Sequence, residues 1–131
     1  MELKSVETLD ADELKNCPVL NAVIFESLRM DPPVPGGFRK AQKHVDHRGY
    51  SFNTGTLFNY SILLLVTDED TYPRADKFCM ERFLPEGHPL YRQELDSNID
   101  PRQGKPNYPV FGGGTHVCLG KAFAILELRI L

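Results

Sequence analysis

Cysteine is scarce in this chain, and its placement excludes more than its number. Cys17, Cys79 and Cys118 are odd in number and stand at unrelated spacings, which disfavours a disulfide framework and fits a reducing compartment. No Cys-x-x-Cys pair occurs, so zinc or dithiol chemistry lacks its usual ligand spacing. Long apolar runs are missing too. None exceeds the five residues of Ile62 to Val66, far too few to span a bilayer, and Met1 to Asp10 has no apolar core of a signal peptide. Nor is there a basic stripe. With 15 Lys and Arg against 18 Asp and Glu the net charge is −3, so nothing argues for nucleic acid or an anionic membrane surface as partner. As written, the chain reads as soluble and intracellular. Its 131 residues suffice for about one domain of the usual ~100–200 residues, and no internal repeat is present.

What is present centres on Phe111 to Gly120, Phe-Gly-Gly-Gly-Thr-His-Val-Cys-Leu-Gly, with an apolar helix pattern beginning as it ends. Gly112, Gly113 and Gly114 strip side chains from the backbone, which suits a chain lying against a flat ligand. Cys118 falls where a helix is about to start, so unpaired N–H groups and the positive end of the helix dipole favour thiolate over thiol. Such a thiolate is a good axial ligand for haem iron. Gly120 leaves room for a porphyrin beside the first helical turn, and Phe111 can cover the sulfur side with an apolar ring. Other glycine-loop chemistries fail on spacing. A phosphate loop ending at Gly120-Lys121 needs glycine at 115 and Ser or Thr at 122, where Thr115 and Ala122 stand. A dinucleotide fingerprint needs glycine in place of Val117. The bland alternative, a surface loop with an incidental cysteine, must also explain the preceding aromatic, the later glycine and the long apolar helix.

Phe111-x-x-Gly114-x-x-x-Cys118-x-Gly120 resembles the haem-binding signature of the cytochrome P-450 family. His116 departs from it, since most members carry arginine there for a haem propionate, and histidine makes that charge pH-dependent. Upstream, Pro18 can open a helix that is apolar on nearly every face, so its Glu26 and Arg29, at i, i+3, should be buried together. A surface ion pair is the plain alternative. Glu26-Ser27-Leu28-Arg29 resembles the family's E-x-x-R motif. Glu81-Arg82-Phe83 matches the end of its F-x-P-E-R-F segment, with Met80 in place of proline. One carboxylate and one guanidinium leave polar groups unfilled, so Arg82 is expected to join them in one buried ionic cluster, meeting the carboxylate in two-pronged fashion among Phe78 and Phe83.

The remaining segments read as scaffold. Ala11 to Lys15 is a short helix. Asp31 to Gly37, rich in proline, ends the Pro18 helix. In the family such a turn leads to a strand beside the haem, which makes Arg39 a candidate propionate ligand, against the reading of an ordinary edge-strand charge. Lys40 to Asn53 reads as a β-hairpin turning at His47-Arg48-Gly49. Its His44 and His47 face opposite ways in extended chain and read as polar hairpin residues rather than metal ligands. Gly55 to Leu65 reads as a strand whose Leu57, Phe58, Tyr60, Ile62 and leucines 63 to 65 enter the core. Thr67 to Tyr72 is a candidate short helix, and Gly87 to Asn107 a loop or meander.

The resemblance thus implies an α+β, mainly helical fold. Residues 1–131 would be a single incomplete domain, the C-terminal haem-binding portion, because the family's acid–alcohol pair in a central helix lies upstream of these motifs. It implies haem b (iron protoporphyrin IX) held through Cys118, with Phe111, Gly114, His116, Gly120 and Arg39 around it. It implies an O₂-dependent monooxygenase acting on a small apolar substrate, with a reductase or ferredoxin as electron donor. The tract Pro32 to Arg39 is most similar to the branch of retinoid and sterol hydroxylases. Any membrane association would come from an N-terminal part not in this chain. A truncated, non-catalytic fragment that binds haem weakly or not at all is the alternative, and the isolated chain is expected to be inactive.

Overall fold

Asp10 opens the first element. Its carboxylate accepts the Glu13 N–H at 2.7 Å while Glu13 accepts the Asp10 N–H at 3.2 Å, a reciprocal cap for α1 (Ala11–Lys15). This is a computed structural model, which describes residues 10–96, 101 and 108–131. Pro18 sits in the first turn of α2 (Pro18–Met30), where its missing N–H costs nothing. Burial on α2 is broad but one-sided. Ala22, Ile24, Phe25, Glu26 and Arg29 are buried while Ser27 and Met30 reach the surface, so the two charges point inward with the apolar residues.

Four short strands follow: β1 (Gly36–Lys40), β2 (Val45–His47), β3 (Tyr50–Phe52) and β4 (Leu57–Ser61). β2 and β3 form the expected hairpin, His47 opposite Tyr50. Arg48 and Gly49 turn it at φ 49° and 83°, the paired positive φ that a two-residue turn matched to strand twist requires. His44 and His47 are both exposed, and His44 Nε2 lies 3.2 Å from Asp46 Oδ1. β1 pairs antiparallel with β4, from Gly36 opposite Ser61 to Lys40 opposite Leu57.

The strand expected over Gly55 to Leu65 stops at Ser61, and Ile62–Val66 is helix α3. One local and one distant acceptor make the switch: the Ser61 hydroxyl accepts the Leu64 N–H at 3.1 Å, and Pro35 O, far back in the chain, takes the N–H groups of Ile62 and Leu63 at 2.8 and 3.1 Å. The helix turns its leucines outward. Leu63, Leu64 and Leu65 are exposed, as are Leu57 and Tyr60, and of that run only Ile62 is fully buried. Thr67 to Tyr72 forms hydrogen-bonded turns rather than a helix, with the Tyr72 N–H on Asp68 O at 2.8 Å.

The core gathers Ile24, Phe25, Ile62, Val66, Tyr72, Ala75, Tyr108 and Ile125. Phe25, Phe83 and Tyr108 meet edge to face at centroid distances of 5.6 to 6.2 Å, and Phe25 alone contributes about 1.5–3 kcal/mol by burial. The Tyr108 hydroxyl donates to Phe25 O at 2.7 Å, and burial pushes its phenol pKa up. The meander carries a tight turn at Gln93–Leu95, and its residues 97–100 and 102–107 lie outside the described ones. The last helix, α4 (Lys121–Ile130), buries Ile125. Its Arg129 donates twice to Asn21 Oδ1, at 2.9 and 2.8 Å, while Asn21 Nδ2 donates to Lys15 O at 2.8 Å.

Candidate functional site

Two constructions stand on this frame, one buried and one exposed. The buried one begins with Glu26 and Arg29, one helical turn apart on α2. Arg29 grips the carboxylate in two-pronged fashion, Nε to Oε2 at 2.8 Å and Nη2 to Oε1 at 3.0 Å. Its remaining donors reach Val66 O at 2.6 Å and Lys77 O at 3.2 Å. Arg82, from the tight turn Met80–Phe83, bridges both carboxylate oxygens with Nε alone, at 3.2 Å each. Its terminal nitrogens donate to the carbonyls of Pro73, Arg74 and Leu95 at 3.0 to 3.5 Å. The Cys79 N–H completes the carboxylate at 2.8 Å. Glu26, Arg29 and Arg82 are at most 2% exposed.

The structure therefore brings these three residues together, with two differences from expectation. The two-pronged grip belongs to Arg29, because the i, i+3 spacing aligns its fork with the carboxylate and leaves Arg82 to approach through Nε. Phe78 is 51% exposed and does not share the core with Phe83. Sequence reasoning also missed Tyr72, fully buried with its ring 5.4 Å from the Arg29 guanidinium carbon and 5.8 Å from that of Arg82. The usable signal was charge: two buried guanidiniums on one carboxylate call for a further electron-rich neighbour.

The exposed construction is the cysteine loop. The tight turn Pro109–Phe111 ends at Gly112, whose N–H donates to Pro109 O at 2.8 Å. The Cys118 N–H donates to Phe111 O at 2.7 Å and closes the loop. Gly112 has φ 71°, and a Cβ there would lie 2.6 Å from His116 O; Gly114 has φ 58° but open space around it. Gly112→Ala is therefore expected to cost about 1–3 kcal/mol through strain plus a backbone clash, and Gly114→Ala less, through strain alone. Denaturant midpoints of the two variants check the order.

Cys118 is exposed, and the position of a Cβ on Gly120 would be 3.8 Å from its Sγ. Helix α4 starts at that end with Gly120 as an N-cap that offers no side chain. Among the described residues the N–H groups of Leu119 and Gly120 meet no protein acceptor, as an anionic sulfur at this helix end would require. Val117, Leu119 and Phe123 flank the cysteine in sequence and are 44%, 101% and 66% exposed, apolar surface of the kind that meets a ligand. The donor set fits haem better than a bare ion. No group of three or more His, Cys, Asp or Glu that could hold a metal occurs among the described residues. An iron already held by a macrocycle needs only one soft donor from the chain.

The other candidates are placed less closely. His116 and Gly114 are exposed. Phe111 is half-buried, packed against the core, with the Lys121 ammonium 5.7 Å from its ring centroid. Arg39 is exposed on β1, donating to Phe38 O at 2.9 Å and lying 5.0 Å from the Tyr60 ring centroid. No hydrogen bond or ring contact joins Arg39 to the cysteine loop among the described residues.

Comparison with known proteins agrees along the whole chain. A family model described as cytochrome P-450 matches residues 2–131. The chain is 37% identical over 126 residues to cytochrome P-450 26A1 of Danio rerio, covering 96% of this chain and 22% of that protein. It is 32% identical over 133 residues to the mitochondrial 1,25-dihydroxyvitamin D(3) 24-hydroxylase of Mus musculus, covering 98% and 23%. The solved structure of retinoic-acid-bound cyanobacterial CYP120A1 superposes with a TM-score of 0.80 at 38% identity, over 98% of this chain and 27% of that one. The chain thus spans about a quarter of the length of the relatives it matches.

Proposed function

Since the chain belongs to the cytochrome P-450 family, we propose that it supplies the sulfur side of a haem-thiolate monooxygenase acting on an apolar, retinoid- or sterol-like substrate. The observation that carries this reading is Cys118, exposed at the start of an uncapped helix behind a loop closed through its own backbone N–H. Haem b, when bound, supplies the activation of dioxygen, with electrons from a reductase or ferredoxin. The chain's own residues hold and shield it. Cys118 binds as thiolate, stabilised by the Leu119 and Gly120 N–H groups just before α4, which meet no acceptor among the described residues. Gly112 and Gly114 keep the loop flat against the ligand, Gly120 keeps side-chain bulk from the sulfur, and Phe111 borders the pocket. His116 and Arg39 offer cationic partners for the propionates, His116 only when protonated.

The substrate class follows the relatives, one structure holding retinoic acid and one relative being a hydroxylase of a vitamin D compound. A full-length protein carrying this segment, supplied with haem, reductase, O₂ and either a retinoid or a sterol, is expected to release a hydroxylated product. Zinc bound in place of haem would overturn the reading. The 131 residues alone are expected to give no turnover, because oxygen chemistry needs an enclosed, dry site while Cys118, Leu119 and Phe123 stand open to water. That exposure also supports a second reading, in which the segment alone is a non-catalytic binder of haem. A Soret band without oxidised substrate is its signature.

A further inference from the structure

The buried cluster carries an imbalance of charge. One carboxylate, Glu26, faces two guanidiniums, Arg29 and Arg82, and all three are excluded from water. Five backbone carbonyls accept the outward donors, which satisfies most of the hydrogen bonds and, among the described residues, leaves a positive charge unmatched by any second carboxylate in a medium of low polarisability. The faces of an aromatic ring carry partial negative charge, and a cation within about 6 Å of the centroid is held by it. Tyr72 is 0% exposed, and both guanidinium carbons fall within that range, at 5.4 and 5.8 Å.

We propose that Tyr72 is the fourth member of the cluster, a positioning residue whose ring holds Arg29 and Arg82 together on the Glu26 carboxylate. The ring acts through its π electrons and not as a phenolate, since burial pushes the phenol pKa well up despite the nearby arginines. Tyr72 immediately precedes Pro73, whose carbonyl takes an Arg82 donor at 3.0 Å, so the ring and the carbonyl next to it both act on the same guanidinium. Its link to the cysteine loop is indirect: Tyr72 shares the core with Tyr108, the residue that leads into the Pro109–Phe111 turn.

The test compares Tyr72→Phe with phenylalanines bearing one to five ring fluorines at the same position in the full chain. Ring size and apolar packing change little along that series while the negative potential of the face is progressively withdrawn. Taking Tyr72→Phe as reference removes any contribution of the hydroxyl. The folded-to-unfolded ratio is expected to fall stepwise, reaching roughly 5- to 30-fold below Tyr72→Phe at full fluorination, with Tyr72→Leu as low or lower. A flat series would overturn the proposal and leave Tyr72 as packing alone, whether or not Tyr72→Leu folds. Because folding is read and turnover is not, the outcome is independent of the haem assignment.

Discussion

Glu26→Gln is expected to yield misfolded, haem-free protein. The substitution keeps shape and removes the one negative charge that, among the described residues, bonds the two buried guanidiniums. Stranding a buried charge costs about 3–5 kcal/mol, and a domain's whole margin is about 5–15 kcal/mol. Four donors lose their acceptor's charge at once: Arg29 Nε and Nη2, Arg82 Nε, and the Cys79 N–H that ties the 79–83 segment to α2. Arg29→Lys and Arg82→Lys should do comparable damage by a different route. Lysine keeps the charge but cannot span two carboxylate oxygens and distant carbonyls from one planar group, as Arg29 does toward Val66 O and Lys77 O. Soluble yield, circular dichroism and denaturant midpoint measure the effect. A Glu26→Gln protein within about 1 kcal/mol of the parent would be a loss of the surface-pair size and would show that the cluster does not hold the fold.

The second large effect is spectral and leaves the fold intact. In full-length protein Cys118→Ser should abolish the thiolate-type Soret shift of the reduced carbon monoxide adduct, because serine offers no soft donor to iron. Stability should change by only about 0.5 kcal/mol or less, as for other exposed substitutions. The side chain is exposed, and the loop is closed by the backbone N–H to Phe111 O at 2.7 Å, which serine retains. Cys17→Ser and Cys79→Ser should keep the shift, the latter with some loss of stability since Cys79 is buried. Survival of the shift in Cys118→Ser would remove this residue as the ligand.

Much of this arrangement was legible because its causes are local. The Pro18 start of α2 and the Arg48-Gly49 turn each depend on residues within one turn of chain, and the cysteine loop on the short stretch from Phe111 to Gly120. The meeting of Glu26, Arg29 and Arg82 followed from an elementary demand, that buried charges find partners. What escaped depended on contacts from afar. Whether Ile62 to Leu65 continues a strand or coils is set by the Pro35 carbonyl, and a short apolar run does not distinguish the two by its period. The outward leucines of α3 follow from the same switch. Tyr72 gave no periodic signal, since its place beside two guanidiniums arises only when α2 and the 73–82 segment have packed.

Asn21 joins α1, α2 and α4 through one amide, reaching Lys15 O on one side and Arg129 on the other. The Arg129 contact bridges 108 positions of chain, whereas the Glu26–Arg29 grip spans three. Contacts of such unequal range form at unequal times, because closing a longer loop costs more entropy before any contact rewards it. Helix α4, which begins beside Cys118, is therefore expected to dock after the Glu26–Arg29 pair has formed. The Arg82–Glu26 contact, at 56 positions, falls between these two ranges, so the buried cluster is expected to close before α4 docks and Cys118 to be positioned late.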